Sequence, residues 1–96
     1  MKFEIMVGAR AVWVNADTGE CIGRFGLYGV DVHRRVADQH LGECLACPHG
    51  RVTADDWRLF QTAMLDHYEI DLSHLAMPDF VGKSANLARG KNHASP

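Results

Sequence analysis

The chain has 96 residues and a formal net charge of −2, with ten lysine and arginine residues against twelve aspartate and glutamate residues. These counts indicate one small domain and argue against both a strongly basic nucleic-acid binder and an acidic DNA mimic. Because so short a chain buries little apolar surface, a metal, a second copy or a partner would support its core.

Three cysteines are an odd number, which favours thiols that are free or metal-bound in a reducing compartment over a set of disulfides. The sequence has neither an apolar run long enough for a membrane span nor the opening pattern of a signal peptide. We therefore expect a protein of the bacterial cytoplasm that has no contact with membranes.

The first third of the chain alternates apolar and polar residues, which is typical of half-buried strands. A first strand is predicted over residues 3–14, with a bulge or bend at Gly8. Turn-forming residues lead from it into a second strand over 21–25 and then into a third over 30–33. The sequence therefore predicts a three-stranded antiparallel meander.

Residues 34–39 have an ambiguous pattern, and Gly42 begins a predicted loop rich in Cys, Pro and Gly.

A helix is predicted from about Ala54 to about Tyr68, because Thr53 and the acidic residue three positions later form a capping-box pattern. The helix has an apolar stripe that consists of Trp57, Phe60, Met64 and Tyr68. This stripe is expected to pack on the sheet, and a partner-binding groove is the alternative. The fold class is thus α+β, a meander packed on one helix.

Residues 1–81 are expected to form a single domain and residues 82–96 a disordered basic tail. The tail has three basic and no acidic residues and almost no large apolar side chains, so burial cannot offset its ordering entropy. A solvated terminus is the simplest interpretation of this tail. Contact with RNA or with an acidic partner is the alternative.

The segment between the predicted sheet and helix holds the main candidate site. Cys44 and Cys47 have the C-x-x-C spacing that directs two thiolates at one ion, and His49 follows two residues later. A structural zinc ion needs a fourth ligand, for which we choose His33 at the end of the third strand. Asp31 would orient the ring of His33. The sequence therefore predicts a zinc-binding loop between sheet and helix.

Several alternatives to this site stay open. His40 and Cys21 are the next candidates for the fourth ligand, although Cys21 is expected to face the core. Cys44 and Cys47 can instead be plain buried thiols, a redox pair, or ligands of another metal such as iron in an iron–sulfur cluster.

The sequence contains no phosphate-binding glycine loop, no nucleophile elbow and no H-E-x-x-H motif, which disfavours an enzyme. We expect a zinc-stabilised protein-interaction or regulatory module, and the thin core makes a dimer reasonable. A zinc-knuckle-like nucleic-acid-binding protein is the first alternative. A small zinc-dependent nuclease or a thiol redox enzyme is the second.

Three segments of the chain resemble a group of short proteins from proteobacteria and their prophages that has no assigned activity. They are the G-V-D-V-H-R run at 29–34, the C-x-x-C-x-H-G run at 44–50, and Asp56-Trp57 with a helix ending in His67-Tyr68. The resemblance covers roughly residues 1–78. It implies an accessory protein of a phage or mobile element that acts on a host protein, including host defence machinery.

Overall fold

A computed structural model of the chain describes residues 2–36 and 39–83. The elements in chain order are β1 (Phe3–Val7), β2 (Ala11–Ala16), β3 (Cys21–Gly26), β4 (Gly29–Val36), β5 (Gln39–Ala46) and α1 (Ala54–Tyr68). The strands form one antiparallel sheet in the order β1-β2-β3-β4-β5, so β1 and β5 lie at its edges. Among the described residues, no helix has both the length and the apolar character needed to cross a membrane.

The predicted three-stranded meander is wrong, because the sheet has five strands. The predicted first strand is in fact two strands, since the chain reverses direction after β1. At this turn the Gly8 amide donates a hydrogen bond to the Ala11 carbonyl at 2.8 Å, and Ile5 pairs with Val14 across the hairpin. Both arms carry alternating residues, so the sequence pattern did not distinguish a bulge from a complete turn.

The second added strand is β5, which includes residues 42–46 at the start of the predicted loop. It pairs with β4, with Asp31 opposite Cys44 and His33 opposite Gly42. Glycine and charged residues are weak strand formers, so local sequence alone gave little sign of it. Cys44 is therefore a strand residue, and the described residues do not show the metal-binding loop that the sequence predicted.

The predicted helix is confirmed as α1, from Ala54 to Tyr68. Both hydrogen bonds of the capping box are present: the Asp56 amide donates to Thr53 Oγ1 at 3.2 Å, and the Thr53 amide donates to Asp56 Oδ2 at 2.9 Å. The helix ends at Glu69, whose left-handed backbone directs its amide back to the Leu65 carbonyl.

The core lies between the sheet and α1, and the aromatic ring of Phe25 is at its centre. Phe25 is 0% exposed. Its ring centroid lies 5.0 Å from that of Trp57 and 5.7 Å from those of Phe60 and Phe80. A Cβ on Gly23 would lie 2.5 Å from the sulfur of the buried Met64 side chain, so glycine permits this close approach of helix and sheet. The apolar stripe of α1 thus belongs to the core.

The segment after α1 also packs on this core, through Ile70, Leu72 and Phe80. It is joined to the strand–helix connection by a hydrogen bond of 2.8 Å from the Gly82 amide to the Val52 carbonyl. The remainder of the predicted tail, residues 84–96, lies outside the described residues.

Replacing the helix cap tests how much this local signal contributes. Thr53→Ala removes one capping hydrogen bond and is expected to lower the free energy of unfolding by about 1 kcal/mol, measured by urea denaturation. Thr62→Ala, at an exposed position inside α1, is the matched control and is expected to raise stability by about 0.5 kcal/mol through helix propensity. Equal effects of the two substitutions would contradict a capping role for Thr53.

Candidate functional site

One face of the sheet is not covered by α1, and a row of side chains crosses it from edge to edge. The strand register aligns the members of this row, which are Met6, Trp13, Arg24, Asp31 and Cys44. Their neighbours along β2, β3 and β4 are buried in the core, so strand alternation directs the row to the opposite side. We call this side the open face.

A shallow depression of about 440 Å³ lies on the open face. Its lining combines apolar, charged and thiol groups: Trp13, Cys21, Arg24, Asp31, His33, Gly42 and Cys44. The Trp13 ring also packs over the β1–β2 turn, where a Cβ on Gly8 would come within 3.0 Å of it. The indole is therefore held in place while part of it stays accessible.

An ion pair crosses the depression between β3 and β4. The Arg24 Nε and Nη2 atoms both donate to Asp31 Oδ2, at 3.1 and 2.6 Å. The Arg24 side chain is 47% exposed and that of Asp31 18% exposed. A Cβ on Gly29 would lie 2.5 Å from Arg24 Nη2, so glycine leaves space for the guanidinium. The pair orients the arginine but adds little stability, because water screens it.

Cys44 and Cys47 form a close pair of exposed thiols at the end of β5. Their Sγ atoms lie 3.2 Å apart, and neither is in a disulfide. The hydrogen bond with Cys47 raises the pKa of the Cys44 thiol, and slight desolvation and the negative charges of Cys47 and Asp31 act in the same direction. The C-x-x-C spacing thus predicted the proximity of the two thiols.

His33 lies on the open face beside the ion pair. Its ring is positioned over Gly42, since a Cβ there would lie 3.8 Å from the imidazole. The backbone of His33 is tied to the helix, because Tyr68 Oη donates to its carbonyl oxygen.

His49 occupies a tight turn after Cys47. His49 and Gly50 have φ values of 55° and 96°, and the Arg51 amide donates to the Pro48 carbonyl at 3.2 Å, as expected for a type I′ turn. The turn is anchored to the β3–β4 connection by a 2.6 Å hydrogen bond from the Gly50 amide to the Leu27 carbonyl. The His49 side chain is exposed.

The four predicted zinc ligands are therefore only partly assembled. Cys44 and Cys47 meet, but no three or more His, Cys, Asp or Glu side chains in the described part of the chain are grouped to hold a metal ion. Of the alternative fourth ligands, Cys21 lines the depression instead of entering the core, and its thiol donates to the Gly23 carbonyl at 3.4 Å. The side chain of His40 lies outside the described residues.

Sequence reasoning did not single out Trp13 and Arg24 as site residues. The alternation around Val12 and Val14 carried the signal for Trp13, because a large aromatic residue between two core valines must project to the other face. Arg24 gave no comparable signal, since its ion pair depends on the β3–β4 register.

No protein-family model matches this chain, and no curated protein or solved structure is significantly similar to it. The functional assignment therefore depends on the geometry of the open face and of the thiol pair.

The raised pKa of Cys44 has a measurable consequence in the metal-free protein. At a pH below the ordinary thiol value of about 8.5, Cys44 holds less thiolate than an unperturbed cysteine and is expected to react slowly with iodoacetamide. Cys47→Ala removes the hydrogen bond that is the main cause of the raised pKa of Cys44. The pKa of Cys44 is therefore expected to fall, and its alkylation is expected to become faster.

The measurement is the pH profile of Cys44 alkylation, followed by mass spectrometry in a Cys21→Ser background. A matched Leu65→Ala substitution on the exposed side of α1 is expected to leave the profile unchanged. A profile that does not move to lower pH in Cys47→Ala would show that the thiol pair does not set the reactivity of Cys44.

Proposed function

We propose that the protein is a small protein-interaction module and that the open face around Trp13 is its contact surface. The observation that carries this proposal is a partly accessible tryptophan, packed on its own hairpin, next to an oriented arginine on the sheet face that α1 does not cover. Tryptophan and arginine are enriched among the residues that dominate binding energy at protein interfaces. Met6 extends the same row to the sheet edge and is exposed.

The chemistry of the open face suggests what the partner presents. An apolar side chain would stack on Trp13, and a hydrogen-bond acceptor beside it would meet the guanidinium of Arg24. Because Asp31 already orients that guanidinium, binding orders few additional side chains and costs little entropy. The partner is thus a protein surface with an apolar group next to a carbonyl or carboxylate.

A nucleic-acid partner fits this surface less well. The charge of Arg24 is balanced by that of Asp31, whereas phosphate backbones are bound by clusters of uncompensated positive charge. Residues 1–81 contain seven basic and twelve acidic residues, a net charge of −5. Contact with RNA would therefore depend on the basic tail.

A thiol redox enzyme is also disfavoured by the direction of the Cys44 pKa. In redox C-x-x-C motifs the attacking thiol has a lowered pKa, often at a helix N-terminus. Here the pKa of the first cysteine is raised, and α1 begins seven positions after Cys47.

The resemblance to prophage proteins suggests a bacterial host protein as the partner, encountered in the cytoplasm.

The test is capture of a partner from bacterial lysate with and without nuclease treatment, followed by affinity measurement with the purified partner. Trp13→Ala is expected to weaken binding roughly tenfold to a hundredfold, because truncation of a central aromatic anchor costs about 2 kcal/mol. Arg24→Ala is expected to weaken it by a smaller factor. Circular dichroism and thermal melting of each variant establish that the fold is intact.

Leu65→Ala is the matched control, since Leu65 is an exposed apolar residue on the helix side of the domain. Its affinity should stay within about threefold of the original protein, as for most residues outside a hot spot. Binding that survives Trp13→Ala and Arg24→Ala but is lost in Leu65→Ala would place the interface on the helix. Loss of capture after nuclease treatment would instead favour a nucleic-acid partner.

A further inference from the structure

Cys44 and Cys47 have the spacing of two ligands on one metal ion. Two thiolates bound to a tetrahedral zinc ion at about 2.3 Å each lie about 3.8 Å apart. The observed Sγ to Sγ distance is 3.2 Å, so small side-chain rotations convert the pair into a bidentate zinc ligand. Both side chains are exposed, so the ion can approach from solvent.

The chain does not complete the tetrahedron from its described residues, which contain no ligand group of three or more. The carboxylate of Asp31 accepts two hydrogen bonds from Arg24. The thiol of Cys21 donates to a backbone carbonyl of its own strand. The thiol pair thus supplies two of the four ligands that a structural zinc ion requires.

The location of the pair allows a second chain to provide the rest. Cys44 lies on β5, which is an edge strand of the sheet, and Cys47 directly follows that strand. A two-fold axis through the ion would place the same two cysteines of a second copy on its other side, which is the usual symmetry of protein dimers. Four thiolates then surround one zinc ion.

We propose that Cys44 and Cys47 are half of a zinc site that a second copy of this chain completes, with one ion per two chains. Each of the four thiols releases its proton to solvent as it binds. In this site, two thiolates from the second copy take the positions that the sequence assigned to His33 and His49. It also supplies the support that a thin core lacks, because zinc binding stabilises the dimeric form.

Zinc-linked dimerisation is separable by mutation from binding at Trp13, although Cys44 and Trp13 line the same depression. Trp13 is on β2, three strands from β5, which corresponds to about 14 Å across the sheet. Trp13→Ala is therefore expected to leave zinc-linked dimerisation intact, so failure of one proposal is distinguishable from failure of the other.

The test is a zinc titration of the reduced, metal-free protein, with metal content and molar mass measured after gel filtration. We expect saturation at half an equivalent of zinc per chain, together with a doubling of mass from the 10.7 kDa monomer. Cobalt used as a spectroscopic probe should give the charge-transfer intensity of four thiolates per ion. Chelation should return the monomer.

Substitutions separate the possible ligand sets. Cys44→Ser and Cys47→Ser should each abolish both zinc uptake and dimerisation, whereas Cys21→Ser, His33→Ala and His49→Ala should preserve them. One equivalent of zinc on a monomer, lost in His33→Ala or His49→Ala, would overturn the proposal in favour of a site within one chain. Absence of zinc uptake, or uptake without a change in mass, would overturn it as well.

Discussion

Phe25 lies where the sheet, α1 and the segment after α1 meet, and its ring contacts aromatic side chains from both helix and segment. These buried aromatic side chains contribute to the apolar burial that opposes chain entropy in a small domain. Gly23 on the same strand allows Met64 to approach the sheet backbone. The position of α1 depends on these contacts.

Because α1 packs on one face of the sheet, strand alternation decides which residues of the described strands lie on the open face. Val12, Val14 and Phe25 enter the core, so Trp13 and Arg24 must project outward. The open face is therefore a direct consequence of the core pattern. Its ion pair orients Arg24, and Trp13 packs on the β1–β2 turn. Side chains that are already oriented lower the entropic cost of binding in the proposed interaction module.

The thiol pair has a different relation to the fold. Cys44 is positioned by pairing of β5 with β4, while Cys47 lies in the connection that the Pro48–Arg51 turn closes. This arrangement brings two sulfur atoms together at the sheet edge and leaves His49 exposed on the turn. An edge position is open to another chain, which is the basis of the proposal that a metal ion is shared between copies.

Local chemistry in the sequence determined α1, because Thr53, Asp56 and a stripe with helical spacing act within a few residues of one another. It also determined that Cys44 and Cys47 would be neighbours, since their spacing is short. Only the tertiary structure decided that Gly8 ends a strand and that β5 exists, because β5 is stabilised by hydrogen bonds to β4 and not by its own residue preferences. The tertiary structure also decided the geometry of the candidate site. The positions of His33 and His49 relative to the thiols depend on strand register and turn geometry, which cannot be obtained from the spacing of ligands in the sequence.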